Sequence, residues 1–250
     1  MGSNLASRFP FDDVYNTSNI DDIVGKRYDL VVSAGNRADS FRINRNGDDD
    51  LREVDSLADR LDQVEITQLV LVSTVCVYPG ASSPDETAPL DMADLTPYGA
   101  NRLHQEQRLA AAHDTLVLRL PQLYGDGLKK GIIYDLAHDY RVEFIRPDAR
   151  FQYYDVRRLA DDLRAALDAR LSSLNLATPA IRNDVIAREA FGIDVSGNDP
   201  GPADPFADMY TRDMRTIHAA AFGGADGYLM DEERELAEIV AFARSLREDS

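Results

Sequence analysis

The chain contains a single cysteine, Cys76, which excludes an intrachain disulfide framework and cannot complete a zinc site. Lysine is almost as scarce. Lys26, Lys129 and Lys130 are all there is of it, and arginine supplies the remaining cations. Positive charge as a whole is short: 27 lysines and arginines face 44 aspartates and glutamates, for a formal net charge of −17. A general binder of nucleic acid or of an anionic membrane would more often be basic, so both partners are disfavoured. No apolar run approaches the roughly 20 residues of a membrane-spanning helix. No charged-then-apolar leader is present either, and a cytoplasmic location is the resulting expectation. His104, His113, His138 and His218 lack metal-ligand spacing, so no metal is expected. There is no Gly-x-Ser-x-Gly elbow, Walker phosphate loop, internal repeat or low-complexity tract.

What is present suits a globular protein. At 250 residues and 44% hydrophobic content, the chain can bury one sizeable core, alone or with a small appendage. The most informative stretch runs from Leu69 to Arg102. LVLVSTVCV is an apolar, β-branched run that reads as a buried strand of a parallel sheet. Ser73 and Thr74 near its end bring hydroxyls to the carboxyl edge, where open α/β sheets bind ligands. Tyr98 opens the next helix and Arg102 follows four residues later on the same face. A hydroxyl, a phenol and a fixed cation make a workable proton-transfer site.

Other segments read as follows. Residues 1–9 form a helix with Leu5 and Phe9 at i, i+4 spacing, and Asp12–Thr17 a short strand. Tyr28–Gly35 is a strand with a small-residue exit. A helix spans about Asp49 to Leu61, with Leu51, Val54, Leu57, Ala58 and Leu61 on one face. The tyrosine helix runs to about Ala112, Thr115–Leu120 is a strand, and Phe151–Leu159 leads from a strand into a helix. Leu174–Ala177 is a strand, Asn183–Phe191 a helix, residues 197–202 a loop, and Asp231–Leu246 an amphipathic terminal helix. Pro79–Pro97 is a long loop carrying Asp85 and Glu86.

These residues resemble the extended short-chain dehydrogenase/reductase family, which includes nucleotide-sugar epimerases and dehydratases. The likeness rests on Thr74 ahead of Val77-Tyr78-Pro79, Tyr98…Arg102 in place of Tyr-x-x-x-Lys, and Ser33-Ala34-Gly35. Asn44-Arg45-Asn46-Gly47 and Arg119…Tyr124-Gly125 add to it. It extends from Gly2 to about Asp162. The fold it implies is α/β, a Rossmann-like doubly wound parallel sheet with a small C-terminal substrate lobe. Residues 1–145 would form the core and 146–250 mostly the lobe, with one segment returning to the core. Gly2 would be the last glycine of the family's Gly-rich loop. The strand and two glycines that precede it in the family are not in the chain, so an upstream start or a lost first strand is expected.

The resemblance implies NAD or NADP as cofactor. It would be held by Gly2, by Asn16 at the adenosine ribose, by Ser33, Ala34 and Gly35, and by Leu120 at the end of its strand. Thr74, Tyr98 and Arg102 would be catalytic. The phenol, with an ordinary pKa near 10, must ionise to act at neutral pH, and a nearby cation helps it to do so. Arginine supplies the charge, but a proton relay through a lysine could not operate in its usual form. Val75-Cys76 stands where the dehydratases carry Asp-Glu, which disfavours dehydration by that route. Gln122, in place of the family's asparagine, and Arg150 would touch substrate. Lys129 and Lys130 suggest an anionic ligand or else an exposed basic turn. The implied function is NAD(P)-dependent epimerisation or reduction of a nucleotide-activated sugar or a similar hydroxyl or keto substrate. The alternatives are a catalytically lapsed nucleotide- or protein-binding member and a truncated gene model of an active enzyme. By analogy with the family, a homodimer would form through the tyrosine helix.

Overall fold

The computed structural model describes residues 1–80, 82–201 and 212–248, so Pro202 of the expected 197–202 loop lies outside the described residues. Helix α1 (Gly2–Arg8) is followed by strand β1 (Arg27–Ser33), short α2 (Ser40–Ile43), α3 (Gly47–Leu61) and β2 (Glu65–Thr74). Then come α4 (Pro97–Ala112), β3 (Thr115–Leu120), β4 (Gln122–Tyr124), α5 (Ile132–Ala137), β5 (Arg150–Asp155) and α6 (Leu159–Asp168). Strands β6 (Ser173–Asn175) and β7 (Ala180–Arg182), α7 (Asn183–Ile186) and α8 (Glu232–Glu248) complete the order.

The chain divides into two compact units. The first holds residues 1–79, 88–119 and 160–174; the second holds 80–87, 120–159 and 175–250. Residues 120–145 therefore group with the second unit, whereas an undivided 1–145 core was expected.

The first unit is built on a Rossmann-like sheet in the order β1-β2-β3-β6, with β1 and β2 parallel from Arg27↔Glu65 to Ser33↔Leu71. The central strands are apolar on both faces, as a covered parallel sheet requires, and all six residues of β3 are buried. Leu69, Leu71, Ala58, Leu61 and Leu109 join the sheet to α3 and α4. In α3 the buried residues are Asp50, Val54, Ala58 and Leu61, while Leu51 and Leu57 are half-buried.

Two strands differ from expectation. Asp12–Thr17 is not a strand. Its polar side chains bond locally instead: Asn16 Oδ1 accepts from the Ser18 N–H at 2.8 Å, and the Asn16 N–H donates to Asn19 Oδ1 at 2.7 Å. The Tyr15 hydroxyl lies 2.6 Å from that of Tyr28 on β1 and also accepts from Lys26 Nζ at 2.6 Å. Asparagine and aspartate offer the backbone such alternatives to a ladder. The β2 strand begins at Glu65 and ends at Thr74, and Val75–Val77 forms a 3₁₀ turn because Thr74 Oγ1 accepts the Cys76 N–H at 3.2 Å.

The second unit has a mixed sheet, β4-β5-β7, with β4 parallel and β7 antiparallel to β5. Its core gathers Tyr124, Ile133, Leu136, Tyr153, Ile186 and, from α8, Ile239 and Phe242. The expected helix over Asn183–Phe191 is an α-helical turn continued by a π turn at Ala187–Phe191. Glu86, in the expected long loop, accepts from the N–H groups of Asn175 (2.7 Å) and Ile217 (2.9 Å) and from Thr216 Oγ1 (2.7 Å).

Candidate active site

Three elements of the first unit converge on Tyr98. Helix α4 starts at Pro97, which favours a first helical turn because its missing N–H would be unpaired there anyway. The Tyr98 N–H, also unpaired within the helix, donates to Asn44 Oδ1 at 2.9 Å. Gly99 then lets α4 press on the turn that follows Thr74: a Cβ at this position would stand 2.1 Å from the Cys76 carbonyl oxygen. Gly47 does the same for α3, since its Cβ would come within 2.8 Å of Pro97 Cβ. Asn44 and Gly47 of the Asn-x-x-Gly segment thus brace the tyrosine from one side, and the Thr74 turn braces it from the other.

Arg102 is buried one helical turn after Tyr98. Its guanidinium carbon lies 4.7 Å from the centre of the Tyr98 ring. The guanidinium forks onto the buried Asp50 carboxylate, Nη1 to Oδ2 at 2.9 Å and Nη2 to Oδ1 at 2.8 Å. Nη2 also donates to the Arg37 carbonyl at 2.7 Å, and Asn101 Nδ2 donates to Asp50 at 2.8 Å. Burial would lower the affinity of Arg102 for its proton, but hydrogen bonding to Asp50 and the nearby charges raise it overall, so the group stays cationic.

A second buried ion pair underlies the strand end. Arg119 on β3 donates to Glu106 through Nη2 at 2.7 Å and Nε at 3.2 Å, and to the Tyr78 hydroxyl through Nη1 at 2.7 Å. The Ser73 hydroxyl donates to the same glutamate. Ser73, beside Thr74, is therefore held by Glu106, while the Thr74 oxygen caps the turn and its hydroxyl proton can be donated elsewhere.

Of the expected site residues, Thr74, Tyr98 and Arg102 belong to one constellation in the first unit. Ser33 ends β1 and is buried, and Ala34 and Gly35 follow it. A Cβ at Gly35 would meet nothing within 4 Å, so there is open space beside the backbone. The next residue, Asn36, donates to Gln105 Oε1 at 2.5 Å, and Arg102 holds Arg37. Together these contacts fasten the loop to α4. Gly2 is exposed at the start of α1. Asn16 spends its side-chain oxygen on Ser18, so it is not poised as an acceptor for a ribose hydroxyl. In the second unit, Leu120 ends β3 and Gln122 opens β4. Gln122 Oε1 would lie 3.9 Å from a Cβ at Gly131, just after exposed Lys129 and Lys130. Arg150 is exposed, donates to the Ala180 carbonyl at 2.8 Å and pairs loosely with Glu232 at 3.8 Å.

Asp50 and Glu106 were not foreseen. Each is an acid on the apolar stripe of its helix: Asp50 with Val54, Ala58 and Leu61, and Glu106 with Tyr98, Arg102 and Leu109. An acid in such a register is a readable sign of a buried partner, because a carboxylate is almost never buried unpaired.

The sequence profile of the NAD dependent epimerase/dehydratase family matches residues 4–140, more than half of the chain. Among curated proteins there is no match. Solved structures share the fold at low identity. A dTDP-4-dehydrorhamnose reductase from Clostridium acetobutylicum superposes with a TM-score of 0.70 at 14% identity, over 98% of this chain and 95% of its own. A UDP-glucose 4-epimerase from Thermotoga maritima, solved with UDP-glucose, gives 0.66 at 14% identity over 88% and 78%. TunA, an NAD-dependent NDP-hexosamine 5,6-dehydratase of tunicamycin biosynthesis, gives 0.64 at 17% identity over 94% and 80%. A match over this much of the sequence, carried on a Rossmann-like sheet, identifies the chain as a member of the NAD dependent epimerase/dehydratase family.

Proposed function

We propose that the protein is an NAD(P)-dependent epimerase or reductase acting on a nucleotide-activated sugar or a similar hydroxyl or keto substrate. The observation that carries this reading is the bracing of Tyr98 at the carboxyl end of the sheet. Its N–H is fixed by Asn44, its ring lies beside Arg102, and its helix presses on the turn after Thr74. In this reading the Tyr98 phenol takes a proton from the substrate hydroxyl or returns one to the carbonyl. Thr74 donates a hydrogen bond to the same oxygen. Ser33, Ala34 and Gly35 suit the cofactor, because they are small and open space adjoins Gly35. When bound, the nicotinamide supplies the hydride acceptor or donor. Gln122, Lys129, Lys130 and Arg150 are the proposed contacts for the substrate's anionic part.

The test pairs binding with turnover. Thermal shift with NAD⁺, NADH, NADP⁺ and NADPH should show stabilisation of about 2.7 kcal/mol at 100 times the dissociation constant. Sugar nucleotides should then turn over, and Tyr98→Phe should lower the rate by about 10²- to 10⁴-fold while leaving cofactor binding intact. A wild-type protein that binds no dinucleotide and turns over no sugar nucleotide would overturn the proposal. One observation favours a second reading, a nucleotide- or protein-binding member without turnover: both Nη atoms of Arg102 are engaged by Asp50, and one of them also by Arg37. Saturable dinucleotide binding with no turnover would select it.

A further inference from the structure

We propose that Asp50 is a positioning residue for the Tyr98 centre: its carboxylate holds the Arg102 guanidinium against the tyrosine ring and cancels most of the cation's field there. The proposal rests on the reading of Tyr98 as the proton-transfer group, and its grounds are geometric. The pair is bidentate at 2.8 and 2.9 Å, and both side chains are almost fully buried, at 3% and 6% exposure, so water screens neither. Asn101 fixes the carboxylate at 2.8 Å, and the Arg37 carbonyl accepts a second bond from the guanidinium's Nη2 at 2.7 Å. With the ring centre 4.7 Å from Arg102, the phenol faces an ion pair rather than a lone cation. Asp50 would thereby trade activation of the phenol for a fixed orientation of Arg102, and activity would rise toward alkaline pH.

Other elements packed against this end of α4 carry titratable groups of their own. The turn after Thr74 carries Cys76. Arg42 and Arg45 flank the end of α2, with Arg45 stacked 3.4 Å over Phe41. On α3, Asp48 and Asp49 share the first turn with Asp50, Asp49 pairs with Arg52, and Glu53 pairs with Arg37 at 3.0 Å, while Asp91 caps and Asp94 ends the 3₁₀ turn at Met92–Asp94.

The test is a pH titration of protein labelled with ¹³Cζ-tyrosine, with the Tyr98 signal assigned from Tyr98→Phe. In Asp50→Asn the Tyr98 midpoint should fall by about one to three pH units, because the cation loses its counter-charge. The alkaline rise of kcat/KM should move the same way. A merely structural role for Asp50 would lower stability without moving the midpoint, so a folded Asp50→Asn with the Tyr98 midpoint unmoved or raised overturns the proposal. Should that variant not fold, Asp50→Leu/Arg102→Met removes both charges at similar volume. Its Tyr98 midpoint should stay within about one pH unit of wild type, since little net field is removed; a larger rise would show that the Arg102 charge was acting undamped and overturns the proposal. Neither titration requires cofactor or substrate. Absence of turnover in the wild type would therefore count against the epimerase or reductase reading and leave the linkage between Asp50 and Tyr98 separately decided.

Discussion

Two regions treat buried charge in opposite ways: the surroundings of Tyr98 and Arg119 in the first unit and the core under α8 in the second. In the first, Asp50 faces Arg102 and Glu106 faces Arg119, each carboxylate forked by a guanidinium and supported by a further donor. In the second, Glu235 on α8 is completely buried, and neither of its carboxylate oxygens has a hydrogen-bond partner among the described residues. The Tyr124 hydroxyl is likewise unpartnered among the described residues. Burial, followed by the charge of Glu238, pushes the Glu235 pKa well above 4.5; Arg158 opposes this, and Asp155 adds to it. A paired carboxylate keeps its charge in the interior, whereas an unpaired one keeps its proton. The first arrangement fixes side chains around Tyr98. The second makes the fold's stability depend on pH.

The largest effect should come from breaking a pair. Arg119→Met leaves Glu106 buried without its cation and should cost about 3–5 kcal/mol in chemical denaturation. Glu106→Gln/Arg119→Met should recover much of that loss. If the single variant were as stable as wild type, the pairing in the first unit would not matter energetically.

The opposite change in the second unit should help. Glu235→Met should stabilise the fold by about 1–3 kcal/mol at neutral pH by removing an unsatisfied carboxyl. The sign of the pH effect follows from the raised pKa: the folded state holds the proton more tightly than the unfolded chain does. Stability contributed by the protonated Glu235 is therefore complete below the unfolded value of about 4.5 and is lost as pH rises from there through the folded pKa. The slope would approach about 1.4 kcal/mol per pH unit for one proton and should be absent in Glu235→Met. Equal slopes in the two proteins would sink this account.

A smaller effect should follow at Tyr124. Its ring packs on Phe242 with centroids 5.6 Å apart, and burial, followed by the charge of Glu235, raises the pKa of its phenol. Tyr124→Phe keeps the ring and removes the unpaired hydroxyl, so stability should be unchanged or higher by up to about 1 kcal/mol. A clear loss would reveal a partner for that hydroxyl.

Much of the first unit was legible because its signals are local. The β-branched run at Leu69–Thr74 and the stripe on α3 each specify an element through the period of their side chains. The Tyr98…Arg102 spacing specifies a shared helical face in the same way. Asp12–Thr17 failed as a strand because Asp13 and Asn16 found partners for their side chains nearby, which a count of β-formers does not register. The 3₁₀ turn at Val75–Val77 was hidden inside an apolar run, since one threonine oxygen decides it.

The same distinction governs the buried acids. By itself, the sequence determined that Asp50, Glu106 and Glu235 would fall on the apolar stripes of α3, α4 and α8, because 3.6 residues per turn aligns them with Val54, Leu109 and Ile239. Whether a cation would meet each of them was decided only by tertiary structure. Arg102 reaches Asp50 across 52 residues of chain, while for Glu235 the packing of α8 brings no donor among the described residues within hydrogen-bonding distance. Periodicity is a property of one helix, but charge compensation depends on which helices and strands pack together, and that is written in no single segment.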